Sequence, residues 1–119
     1  VVVEVGVINL TDVETEFAFA RNNMRQGGYY ICSLSSKTSL RSRLKVKSAD
    51  FSHHLLFEEY ERAILAHFTI LKEESYGLFI PFIWKIPFLG RLLQPLAEVV
   101  GAVCCPRLFH EKIYLLRPK

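Results

Sequence analysis

The first eight residues form a nearly continuous run of apolar side chains that is interrupted by a single charge, Glu4. Such a run is typical of a central parallel strand, because both faces of that strand are covered. Thr11 and Glu14 follow at the spacing of a helix-capping box, in which each side chain accepts from the other residue's backbone N–H. The pattern then predicts a helix to about Arg25, where a pair of glycines ends it.

Three more strands and one more helix are predicted downstream. Residues 29–34 combine aromatic and aliphatic side chains between glycines and serines, which predicts a second strand. A βαβ unit of this kind makes the first two strands parallel. An apolar stripe predicts a helix from Phe57 to about His67, and the last two strands are expected at 68–74 and 112–117. The fold class is therefore α/β, in one domain over residues 1–119.

Residues 2–44 resemble the later half of the class I S-adenosylmethionine-dependent methyltransferases, in particular the branch that acts on small molecules and lipids. The matching features are a hydrophobic fourth strand at residues 3–10, the helix start Asp12-Val13-Glu14, and a glycine pair that precedes the fifth strand. Residues 112–118 are also similar to the family's last strand. The resemblance implies a partial Rossmann-like sheet in the order first, second, last, third, with only the last strand antiparallel.

The resemblance also implies an activity and a cofactor. The chain would transfer a methyl group from S-adenosylmethionine to a small, hydrophobic acceptor, and Gly6, Asn9 and Leu10 would border the cofactor. The family approaches this cofactor with a glycine-rich loop after a strand, and no such loop occurs in this sequence. We therefore expect the chain to be the substrate-side half of the enzyme, to bind the cofactor weakly on its own, and to lack activity alone.

A basic segment follows the second strand. Lys37, Arg41 and Arg43 lie in a stretch without an acid until Asp50. The stretch leaves the carboxyl end of a parallel strand, where α/β folds bind ligands, so these cations could hold a phosphate or carboxylate of the substrate or contact an anionic membrane. The alternative is a solvated loop, which is the more common fate of a run of charges.

His53 and His54 lie ahead of the helix at Phe57. Methyltransferases of this kind carry a histidine-containing loop beside the substrate pocket, so the resemblance implies that either residue is a pocket residue or a catalytic base. The alternative is that one of them packs against the helix or caps it. Adjacent histidines do not have the spacing of metal ligands on a helix, and no metal is expected.

Residues 76–109 form an apolar insertion in which prolines and charges interrupt every long apolar run, so it should not span a membrane. In one interpretation it is a helical cover that buries its apolar side chains on the sheet. In the other it presents an apolar surface to a hydrophobic substrate or to a membrane, with Phe82 and Trp84 at the substrate and peripheral membrane contact through 78–93. We favour a cover that also forms a wall of an apolar substrate pocket.

Composition restricts location and partners. The net charge of +3 does not indicate nucleic-acid binding, and three cysteines without a CxxC pair are typical of a reducing compartment. We expect a cytoplasmic protein without a secretory leader, with membrane-peripheral location as an option. The strand at 1–8 would have an open edge and could self-associate. The alternative functions are a non-catalytic methyltransferase-like interaction module and a peripheral lipid-binding protein.

Overall fold

A computed structural model describes residues 1–5, 12–39, 55–78 and 85–119 of the chain. These ranges contain four strands and three α-helices, in the order β1 Val2–Val5, α1 Val13–Asn23, β2 Tyr30–Ser35, α2 Phe57–His67, β3 Phe68–Tyr76, α3 Pro87–Cys104 and β4 Glu111–Pro118. One turn of 3₁₀ helix, Pro106–Leu108, lies between α3 and β4. The predicted α/β class is confirmed.

The four strands form one open sheet in the order β1-β2-β4-β3. β1 and β2 are parallel, whereas β4 runs antiparallel to both of its neighbours, β2 and β3. Cys32 in β2 pairs with Glu4 on one side and with Tyr114 on the other. The predicted strand order, with only the last strand antiparallel, is therefore confirmed.

The start of α1 differs from the sequence-based expectation. Asp12 is the N-cap, and its carboxylate accepts from the backbone N–H of Thr15 at 3.2 Å. The predicted capping box of Thr11 and Glu14 is wrong by one position. A carboxylate at the N-cap satisfies an otherwise unpaired N–H and also interacts favourably with the positive end of the helix dipole, which explains the preference for Asp12. At the other end, α1 ends at Asn23 with Met24 as the C-cap, two residues before the expected Arg25. The glycine pair does not cap the helix: Gly27, with φ +78°, lies in a following turn that is closed by the Gly28 N–H, which donates to the Arg25 carbonyl at 3.1 Å.

The hydrophobic core lies between the sheet and the two helices α1 and α2. Phe17 of α1 meets Tyr30 and Phe68 edge-on, with ring centroids 6.2 and 6.1 Å away, and the rings of Tyr30 and Phe68 stack at 5.5 Å. Tyr60 and Ile64 of α2 are also fully buried in this cluster. Both helices therefore cover the same face of the sheet.

The opposite face of the sheet is less well covered. Ile31 and Leu115 are only partly buried there, and Ile113 is exposed. These residues line a shallow depression of about 170 Å³. A doubly wound sheet has helices on both faces, whereas the helices α1 and α2 cover one face of this sheet.

The insertion contains α3, whose position differs from that of a buried cover. Gly101 is the only residue of α3 that is buried in the structure. The large apolar side chains of this helix are exposed. Among the residues that the structure describes, no helix has the length and the apolar composition needed to cross a bilayer.

Candidate functional site

Strands β2 and β3 end, and β4 begins, on one side of the sheet, which we name the carboxyl edge. Ser35 at the end of β2 and Tyr76 at the end of β3 both pair with Glu111, the first residue of β4. Ligands of open α/β sheets bind beyond the carboxyl ends of the parallel strands. The carboxyl edge is therefore the first place to look for a site.

A polar turn follows β2 at this edge. The hydroxyls of Ser36 and Thr38 lie 2.8 Å apart, and the Thr38 N–H donates to Ser36 Oγ at 3.2 Å. The Ser36 N–H donates to the carbonyl of His110 at 3.0 Å, and Thr38 Oγ1 donates to the carbonyl of Arg107 at 3.1 Å. These bonds fix the turn against the segment that precedes β4.

His110 lies beside this polar turn, directly before β4. Its Nδ1 is 3.4 Å from Ser39 Oγ, its Nε2 is 3.9 Å from Glu111 Oε1, and its side chain is 14% exposed. Tyr76 donates its hydroxyl to the Glu111 carboxylate, and burial together with this bond raises the pKa of Tyr76 to about 12. An imidazole that lies beside a hydroxyl and a carboxylate can act as a general acid or base in catalysis.

Sequence reasoning did not include His110 among the candidate site residues. Its place beside the β2 turn depends on the pairing of β4 with β2, which brings distant parts of the chain together. The feature of the sequence that could have identified His110 as a site residue is its position just before the predicted last strand, because that strand was expected beside β2.

Lys37 is the predicted anion ligand that the structure describes, and it lies at the carboxyl edge. Its Nζ is 3.8 Å from Glu59 Oε2 in the first turn of α2, and both side chains are partly exposed. Its backbone N–H donates to the carbonyl of Leu55 at 3.2 Å. Lys37 is therefore held at the start of α2 by a weak, solvent-screened ion pair that an anionic ligand could replace.

The other predicted site residues lie outside the ranges that the structure describes. They are the proposed cofactor neighbours Gly6, Asn9 and Leu10, the basic residues Arg41 and Arg43, the histidines His53 and His54, and the apolar residues Phe82 and Trp84. The described residues on either side of 40–54 meet at the carboxyl edge, where Ser36 and Leu55 form a parallel β-bridge.

A larger cavity of about 390 Å³ lies between β1 and α1. Its walls are mainly apolar and include Val3 and Phe19. Its polar lining includes Glu16, Asn23 and a hydrogen bond that Tyr30 donates to Glu4. Burial, together with this bond, raises the pKa of Tyr30. The volume is within the range of small-molecule sites. The residues of β1 that line the cavity are Val2, Val3 and Glu4, so the cavity lies beside β1 and not at the carboxyl edge. We therefore do not place substrate chemistry in this cavity.

Within the described part of the chain, no group of three histidine, cysteine, aspartate or glutamate side chains is placed to hold a metal ion. No protein-family model matches the sequence, and no curated protein matches it either.

Proposed function

We propose that this chain forms the substrate-side half of a Rossmann-like, S-adenosylmethionine-dependent methyltransferase and acts on a small, hydrophobic acceptor. The observation that carries the proposal is the position of β4, which lies antiparallel between β2 and β3. A chain of simple βαβ units would place its strands side by side, all parallel. Insertion of the last strand into that order is what the resemblance to the methyltransferase family implies.

The incomplete cover of the sheet supports the same proposal. In the described residues β1 pairs with β2 alone, and Val3 in this strand is 62% exposed. Among the residues that the structure describes, α1 and α2 both lie on the other face, and the face that carries Ile31 and Ile113 has apolar side chains that are only partly buried or are exposed. Both surfaces suit a domain half that packs against a cofactor-binding half.

The chain alone does not fit a complete S-adenosylmethionine site. Its sequence contains no glycine-rich loop after a strand, and a side chain at such a loop would prevent close approach of the backbone to the ligand. In our proposal that loop lies outside this sequence.

The residues at the carboxyl edge would act on the acceptor. Transfer of a methyl group to oxygen or nitrogen needs an oriented acceptor and a group that takes up its proton. His110 is the histidine that the described residues place at this edge and is our candidate proton acceptor, and His53 and His54 remain candidates from the sequence. Lys37 could orient an acidic group of the acceptor, because its ion pair with Glu59 is long.

Two measurements test the function. We expect calorimetric titration of this chain with S-adenosylmethionine to show no binding in the micromolar range. We expect the polypeptide encoded by the complete reading frame to transfer tritiated methyl groups to a hydrophobic acceptor extract. Micromolar binding by this chain would show that the cofactor site is misplaced, and absence of transfer by the complete polypeptide would contradict the function.

The same assay tests His110. We expect His110→Gln to lower the rate of methyl transfer by about 100-fold at neutral pH, since general-base catalysis contributes at least that much. The matched control is His67→Gln at the end of α2, which should retain the wild-type rate. A wild-type rate in His110→Gln would exclude His110 as the proton acceptor.

A further inference from the structure

The cavity between β1 and α1 has apolar walls that suit the body of a small organic molecule. Its volume of about 390 Å³ is that of a small-molecule site. Phe19 of α1 and Met24, the C-cap of this helix, form part of the wall, and the Phe19 side chain is 66% exposed. An aromatic ring and a flexible thioether can pack against ligands of different shapes. An apolar ligand would therefore gain contacts here that water does not provide.

The polar side chains of the cavity offer a ligand mainly hydrogen-bond acceptors. Glu4 and Glu16 contribute carboxylates. The Tyr30 hydroxyl already donates its proton to Glu4. Asn23 Nδ2 donates to the Phe19 carbonyl at 2.8 Å, so the side-chain oxygen of Asn23 is an acceptor. A ligand that matches this lining must supply the donors.

Neither carboxylate has a cationic partner among the residues that the structure describes. The ion pairs there involve other acids, and the residues that line the cavity include no lysine, arginine or histidine. Burial, the bond to Glu4 and the charge of Cys32 are the larger causes of the raised pKa of Tyr30, and the negative charges of Glu4 and Glu16 add to them. Both carboxylates therefore act on one hydroxyl. A cleft with charges of one sign attracts ligands of the opposite sign.

We propose that this cavity binds a hydrophobic amine in its ammonium form. An ammonium group carries three N–H donors and no acceptor, which suits the carboxylates of Glu4 and Glu16. The apolar body lies against Phe19 and Met24, and the face of the Phe19 ring also attracts a cation. A hydrophobic acid would be repelled by both glutamates. The cavity is separate from the carboxyl edge, so this inference is independent of the proposed methyl transfer.

Calorimetric titration of the polypeptide encoded by the complete reading frame tests the proposal, without S-adenosylmethionine. The probes are n-octylamine, 1-octanol and octanoate, which share an apolar body and differ in the polar group. We expect n-octylamine to bind about tenfold more tightly than 1-octanol, since hydrogen bonds to charged groups are stronger than neutral ones, and octanoate not to bind measurably. Equal affinities for the amine and the alcohol would overturn the proposal. Absence of n-octylamine binding, as when the rest of a longer polypeptide fills the cavity, would overturn it as well.

Two variants of α1 locate the site. Glu16→Gln removes one of the charges that line the cavity, and we expect it to weaken n-octylamine binding by about tenfold. The matched control is Glu14→Gln, which makes the same change in the same helical turn at an exposed residue outside the cavity, and it should retain the wild-type affinity. Circular dichroism should show the same helix content in both variants. Equal affinities of the two variants would place the amine elsewhere on the protein and overturn the proposal.

A series of shorter amines tests the apolar walls. Each methylene group that leaves water strengthens binding by up to about fourfold. n-Butylamine should therefore bind at least about tenfold more weakly than n-octylamine. Glu16→Gln should weaken the binding of both amines by the same factor, because the two share the ammonium group. Equal affinities for the two amines would show that the walls do not contact the ligand, and the proposal would be wrong.

Discussion

The helices α2 and α3 have similar amphipathic patterns, but the structure uses them in opposite ways. In α2, Tyr60 and Ile64 are fully buried against the sheet. In α3 the corresponding apolar stripe is exposed, and Gly101 is the buried residue. An apolar stripe therefore predicts that a helix has a face to be covered, but not that the same chain covers it.

The reason for the difference is the surface that each helix meets. α2 packs on apolar side chains of β2 and β4, namely Leu34, Tyr114 and Leu116. α3 is held by a close backbone approach at Gly101 and by the Gln94 bond to the Leu78 carbonyl. Burial of apolar area stabilises the first contact, whereas steric fit and a hydrogen bond define the second.

The largest effect that this comparison predicts is on the stability of the fold. Ile64→Ala should lower the free energy of unfolding by about 2–5 kcal/mol, because it leaves a cavity in a fully buried position. Leu96→Ala should change it by less than about 0.5 kcal/mol, because that side chain is exposed. Urea denaturation followed by circular dichroism measures both. Similar losses for the two variants would show that α3 is buried in solution.

Local patterns and contacts between distant residues differ in how well the sequence predicts them. The parallel pairing of β1 with β2 and the ends of α2 could be predicted from local apolar patterns and the βαβ rule, whereas the position of β4 between β2 and β3 was implied by the resemblance to the methyltransferase family. The cap at Asp12 was missed by one residue because two neighbouring residues can both cap a helix. The proximity of His110 to Ser39 and the outward face of α3 could not be predicted, because both depend on contacts between distant parts of the chain.

A smaller effect on the free energy of unfolding is predicted for Lys112, whose charge lies beneath α2. Lys112 Nζ lies 3.0 Å from Glu61 Oε1 and 3.4 Å from Glu73 Oε1, and its side chain is 12% exposed. Tyr114 also donates to Glu61 Oε1, at 3.1 Å. Lys112→Met removes the cation and leaves Glu61 partly buried beside a hydroxyl, so we expect a loss of about 1–3 kcal/mol in urea denaturation.

The control for this variant is the exposed pair on β3. Lys72 Nζ lies 2.6 Å from Glu74 Oε1, yet both side chains are about two-thirds exposed, so Lys72→Met should not change stability measurably. Glu61→Gln should recover part of the loss when it is combined with Lys112→Met, because it removes the remaining charge. Equal effects of Lys112→Met and Lys72→Met would contradict the buried position of Lys112.

The smallest effect concerns the cysteines, which lie in the two contrasting regions. Cys32 is buried in the core of the sheet, whereas Cys104 and Cys105 are exposed at the end of α3. Burial, followed by the negative charge of Glu4, raises the pKa of the Cys32 thiol from 9.0 to about 12. The folded state therefore favours the neutral thiol, and this contribution to stability is complete below pH 9 and is lost as the pH rises toward 12.

Cys32→Ala should consequently reduce the loss of stability between these two pH values, measured as the shift of the urea midpoint. Part of the loss should remain, because burial also raises the pKa of Tyr114. Thiol labelling gives an independent measurement, in which Cys104 and Cys105 react rapidly in the native chain and Cys32 reacts only after unfolding. Equal labelling rates for all three thiols would mean that the sheet opens as readily as the exposed end of α3, and the contrast between the two regions would not hold in solution.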